Sequence, residues 1–112
     1  MPRYCLTVDL INDPQLIAEY EAHHERIWPE IQASIKDSGI NSMEIYRYEN
    51  RLFMIMETTA SFSFEAKAAA DASNEKVQEW EALMWNYQQA LPTAKKGEKW
   101  MLMKKIFDLK HL

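Results

Sequence analysis

Residues 43–58 read MEIYRYENRLFMIMET, and this stretch decides the fold. Met43–Tyr48 and Leu52–Thr58 are two runs rich in aromatic, methionine and β-branched side chains. The polar triplet Glu49-Asn50-Arg51 divides them. Two such runs joined by a short polar turn predict a β-hairpin.

Towards the N-terminus, Tyr4–Leu10 alternates Tyr4, Leu6, Val8 and Leu10 with Cys5, Thr7 and Asp9, the period of a half-buried strand. Asp13-Pro14 opens a helix, Asp13 as cap and Pro14 at the first helical position. Tyr20, His24, Ile27, Ile31 and Ile35 follow at three- and four-residue steps and share a face. Pro29 should kink this helix or split it after Trp28, and Gly39 is suited to end it. Towards the C-terminus, Phe62–Ala72 reads as helix. Asn74 caps another running to about Ala90, ahead of Pro92. Thr93–Lys99 is a loop and Trp100–Leu109 a fourth strand.

The order β-α-β-β-α-β is that of a ferredoxin-like α+β fold, an antiparallel sheet with helices on one face. Apolar residues point to both sides of the strands, so the uncovered face calls for a ligand or a partner. Two such sheets face to face would make a dimeric α+β barrel. Residues 1–112 are expected to form a single domain, with no repeats or linkers.

Composition closes several routes. Hydrophobic residues make up 47% of the 112, enough to favour a folded chain over a disordered one. A net charge of −4 argues against nucleic-acid binding. The single cysteine, Cys5, permits neither an internal disulfide nor a cysteine-based metal site. With only Gly39 and Gly97, no glycine-rich phosphate loop can be built. The start lacks the apolar core of a secretory signal, and no stretch is apolar enough to span a bilayer. These features suggest a soluble cytoplasmic protein that does not use a membrane, with the usual metal and nucleophile routes mostly closed.

Tyr20 and His24 lie one turn apart on the inward helix face. Both carry polar atoms that need partners when buried, and histidine exchanges protons near neutral pH. From spacing alone, His24 reads more readily as a satisfied core residue than as a catalyst. His23 should face solvent. Glu19, Glu21, Glu25 and Glu30 read as a solvated helix face. Trp28, Trp80, Trp85 and Trp100 suit either packing or the apolar face of a sugar ring. Glu57, Glu79, Glu81 and Glu98 are candidate contacts for hydroxyls.

The run Tyr20-Glu21-Ala22-His23-His24-Glu25-Arg26-Ile27-Trp28-Pro29-Glu30 resembles the signature of the L-rhamnose mutarotase family: Tyr, three residues, His, three residues, Trp-Pro-Glu. The resemblance extends through Ser38-Gly39, Ile45-Tyr46 and Leu52–Glu57, and more weakly through Val77–Trp80. It implies a cofactor-free homodimer that interconverts the α and β anomers of L-rhamnose. His24 would be the proton donor and Tyr20 a sugar contact. Met43 stands where family members carry a second sugar-contacting tyrosine. Of their paired tryptophans Trp80 matches one, Glu81 replaces the other, and Trp85 is a stand-in. These departures make L-fucose an alternative to L-rhamnose as substrate. Two rival readings share the fold: a cofactor-free monooxygenase or haem-degrading protein, and a non-catalytic sugar-binding module.

Overall fold

The computed structural model describes residues 1–111; Leu112, the last residue of the expected domain, lies outside them. Strand β1 (Arg3–Leu10) leads into α1 (Pro14–Glu25) and α2 (Pro29–Asp37). Strands β2 (Ile40–Tyr48) and β3 (Arg51–Thr58) form the hairpin. Helices α3 (Phe64–Ala72) and α4 (Glu75–Trp85) follow, then the two-residue strands β4 (Gln88–Gln89) and β5 (Met101–Leu102). A 3₁₀ turn covers Leu109–His111.

The sheet runs β2-β3-β1-β4, with β5 also on β1, and every pairing is antiparallel. β4 pairs with Asp9 and Leu10, whereas β5 pairs with Leu6 and Thr7. The two short strands thus divide between them the place of the expected fourth strand. The ferredoxin-like plan holds with a broken edge.

Local chemistry explains the elements. Asp13 accepts from the amide of Leu16 at 3.0 Å and caps α1. Trp28 precedes Pro29 and is held extended, at φ −62° and ψ 140°. A residue before proline is barred from the helical region, so the chain breaks there into two helices. Gly39 has φ +96° and ends α2; a Cβ there would sit 2.8 Å from Thr59 Oγ1. Only glycine meets both conditions without strain. Asn74 caps α4 by accepting from the amides of Lys76 and Val77 at 3.1 and 3.2 Å.

The sheet face towards the helices carries Leu6, Val8, Leu10, Leu52, Met54 and Met56, all buried. Tyr20, Met84 and Tyr87 close the core over Val8, Leu10 and Leu52. The opposite face carries paired charges, Arg51 with Asp9 at 2.7 Å and Arg3 with Glu57 at 3.5 Å, beside Ile55, Phe53 and the exposed Tyr46.

Several boundaries differ from expectation. β2 begins earlier, at Ile40, across an irregularity between Ile40 and Ser42. α3 starts at Phe64, because Ser63 caps it by accepting from the amide of Ala66 at 3.2 Å. α4 stops at Trp85 rather than near Ala90, because Gln88 and Gln89 satisfy the edge of β1 instead of continuing the helix. The strand expected over Trp100–Leu109 shrinks to Met101–Leu102, with one further bond from the Met103 amide to the Cys5 carbonyl at 2.8 Å. Beyond it Ile106 and Phe107 are 89% and 65% exposed. Among the described residues they stay largely exposed, so burial supplies little force to extend the strand.

Candidate functional site

One cavity of about 660 Å³ lies between the helical layer and the sheet, a size suited to a small molecule. Tyr20, His24, Met43, Trp80 and Trp85 all line it, so three separate elements, α1, β2 and α4, converge on one space. Glu81 lines it as well, as does Trp85, so both residues contribute to the wall. Glu79 pairs with Lys76 at 3.2 Å, Glu57 with Arg3, and Glu98 accepts from the Lys95 amide at 2.7 Å; these three do not line the cavity.

The His24 ring is fixed from two sides. Its Nδ1 lies 2.9 Å from the main-chain carbonyl of Tyr20. A carbonyl only accepts, so Nδ1 carries the proton and the neutral ring keeps its lone pair on Nε2. The Tyr20 ring lies 4.3 Å away between centroids, and the Trp80 ring meets the imidazole edgewise at 5.5 Å. Trp80 is braced in turn by Trp28 at 5.2 Å. Burial lowers the His24 pKa from the ordinary 6.5; the Tyr20 carbonyl opposes this, and neighbouring His23 adds to it. At neutral pH His24 is therefore an uncharged base.

Tyr20 is only 3% exposed. Its phenol accepts a hydrogen bond from Gln88 Nε2 at 3.3 Å. Burial raises its pKa to about 12, against the smaller effect of Gln88, so it remains a hydroxyl donor at any working pH.

Further polar groups line the cavity that the sequence did not single out. Gln88 lies on β4 and Lys99 in the loop before β5. Lys99 Nζ sits 4.9 Å from the Trp85 ring centre, within cation–π range, and donates to the Glu81 carbonyl at 3.4 Å. Burial pushes the Lys99 pKa down, with Glu81 opposing. Lys67 and Asp71 pair at 2.8 Å, and Ser34 donates to Asp71 at 3.5 Å. An i,i+4 Lys–Asp pair on α3 reads from sequence as surface decoration, and only the tertiary fold turns it inward.

His23 departs from expectation. It is half-buried, and its Nε2 donates to the Tyr87 hydroxyl at 3.2 Å. That hydroxyl donates to Glu19 at 3.1 Å. Glu19 is therefore also no free member of a solvated face. The bond joins α1 to the residue just before β4, a contact 64 residues apart in sequence. Among the described residues no three His, Cys, Asp or Glu side chains cluster closely enough to hold a metal ion.

A ferredoxin-like sheet and its helices thus enclose a neutral histidine, a phenol and an aromatic wall around one cavity, a site for a small molecule. The family model for L-rhamnose mutarotase matches residues 3–109. The chain is 45% identical to the L-fucose mutarotase of Xanthomonas campestris pv. campestris over 111 residues, 97% of this chain and 89% of that protein. It is 35% identical to an L-rhamnose mutarotase of Klebsiella pneumoniae over 75 residues, 67% of this chain and 66% of that one. The L-rhamnose mutarotase structure from Formosa agariphila superposes with a TM-score of 0.72 at 20% identity, covering 97% of this chain and 99% of that one. The chain belongs to the L-rhamnose mutarotase family, isomerases that act on sugar anomers. These comparisons favour neither the oxygenase nor the haem-degrading reading.

Proposed function

We propose that the protein interconverts the α and β anomers of a 6-deoxy-L-hexose, L-fucose ahead of L-rhamnose, with His24 as its acid/base residue. The sugar preference is supported by the near full-length similarity to an L-fucose mutarotase. The catalytic role is carried by one observation: the Nδ1–H of His24 is committed to the Tyr20 carbonyl, which leaves a neutral Nε2 available at the cavity.

Nε2 takes the proton of the anomeric hydroxyl as the bond between C1 and the ring oxygen breaks, giving the open aldehyde. The imidazolium so formed gives that proton to the ring oxygen. Rotation about C1–C2 and the reverse steps close the ring on the other face. Atoms and charge balance without any redox step. Tyr20, a permanent donor, orients a sugar oxygen. Trp80, Trp85 and Met43 supply apolar surface for the ring carbons and the deoxy methyl group.

The protein is further proposed to act as a homodimer. The uncovered sheet face and the exposed Ile106, Phe107 and Leu109 of the C-terminal segment provide the apolar surface for a second copy. Saturation-transfer proton NMR on both sugars tests the activity. Faster anomer exchange of L-fucose than of L-rhamnose is expected. Exchange at the uncatalysed rate for both would refute the proposal.

A further inference from the structure

Gln88 is held by its backbone in register with Leu10 on the edge of β1 and by its side chain against Tyr20. It is 4% exposed. Its Nε2 donates to the Tyr20 hydroxyl, but its Oε1 is buried without any hydrogen-bond partner. It is the one buried side-chain polar atom in that condition among the described residues. A buried acceptor with no donor is destabilising, and an apolar side chain of the same length would fill the space without that cost. The residue lines the same cavity as His24. Asp71, also on the cavity, is occupied by Lys67 and Ser34, and Lys99 by the Glu81 carbonyl.

The pairing with Tyr20 sets the polarity of both groups. Because Gln88 donates to the phenol oxygen, the phenol proton is not used by Gln88 and is left for a ligand. Tyr20 then offers a donor and Gln88 an acceptor, side by side. A pyranose hydroxyl is both donor and acceptor, and adjacent hydroxyls complement such a pair.

We propose that Gln88 is a specificity-determining sugar contact whose Oε1 accepts a hydrogen bond from one ring hydroxyl; this rests on the mutarotase reading above. L-fucose and L-rhamnose differ in configuration at C2 and C4. The Gln88 amide is held by Tyr20 and its backbone by β1, so the acceptor does not follow a hydroxyl that moves to the other side of the ring. A buried site built to bond a hydroxyl discriminates against a sugar that lacks it or places it elsewhere.

The test compares wild type, Gln88→Met and Gln88→Asn. Anomer exchange is followed by NMR and sugar binding by calorimetry, with L-fucose, L-rhamnose and the 2-, 3- and 4-deoxy analogues of the preferred sugar. Gln88→Met is expected to fold as wild type and to raise KM and Kd for the preferred sugar about tenfold, the size of one neutral hydrogen bond, with a smaller change in kcat. One deoxy analogue should bind wild type about tenfold more weakly than the parent, and Gln88→Met should bind the two equally. Gln88→Asn withdraws the acceptor by one methylene and should raise KM in the same direction; it carries the test if Gln88→Met does not fold. An unchanged KM in these variants, or discrimination that survives in Gln88→Met, overturns the role of Gln88 while leaving an active mutarotase intact. Sugar binding without exchange in wild type refutes the mutarotase reading, and Gln88 is then judged by the same criterion on Kd. No sugar binding by wild type overturns both.

Discussion

The Nδ1 of His24 donates to the carbonyl of Tyr20 at 2.9 Å, one turn earlier in the same helix. This bond fixes which nitrogen is protonated, and burial keeps the ring neutral at pH 7. In the proposed mechanism the free base is the working form, so kcat/KM is expected to be flat through neutral pH and to fall in acid, with an apparent pKa below the ordinary 6.5. The same depression has a stability consequence. Between the lowered folded pKa and the unfolded value the unfolded chain binds more protons, so stability declines as pH drops below about 6.5. In His24→Gln this part of the acid slope should disappear from denaturation curves measured at several pH values. An acid limb above pH 6.5 would contradict the neutral-base assignment.

Tyr20→Phe removes one hydroxyl and leaves Gln88 Nε2 without its bond. A loss of about 1–2 kcal/mol in urea unfolding is expected from one orphaned buried donor. Loss of the proposed sugar contact should also raise KM about tenfold. Steady-state exchange kinetics that match wild type would remove Tyr20 from the site.

Gly39→Ala forces a side chain into a left-handed backbone position and against Thr59. The expected cost is about 1–3 kcal/mol, visible as a lowered thermal midpoint. Because Gly39 stands at the junction of α2 and β2 and is not among the cavity-lining residues, activity per folded molecule should persist. A midpoint equal to wild type would mean that the backbone relaxes there freely.

The exposed segment after β5 leads to a prediction on assembly. Light scattering on eluted protein should give a dimer for wild type, and a shift towards monomer for Ile106→Asp combined with Phe107→Asp, which places charges on the proposed contact. A monomeric wild type would refute the dimer.

Much of this arrangement is legible in the sequence because its signals are local. The alternation in Tyr4–Leu10 and the polar break before Leu52 fix strands without reference to anything distant. Pro29 splits the helix through its effect on Trp28. The Tyr20–His24 step depends only on helical period. What escaped depends on distant partners. Residues 86–90, NYQQA, suit a helix as readily as a strand, and it is the open edge of β1 that recruits Gln88 and Gln89. His23 reads as solvent-facing until Tyr87 arrives from the far end of the chain. The alternation after Trp100 has the look of a strand, but β1 offers that segment only a short stretch of edge.

The most direct measurement is saturation-transfer NMR of L-fucose anomer exchange by wild type and His24→Ala at pH 7. The expected result is clear acceleration by wild type and a loss of about 10²–10⁴-fold in the variant, the usual contribution of a general acid–base residue. Equal exchange rates for the two proteins, with the variant folded, would contradict the assignment of the chemistry to His24.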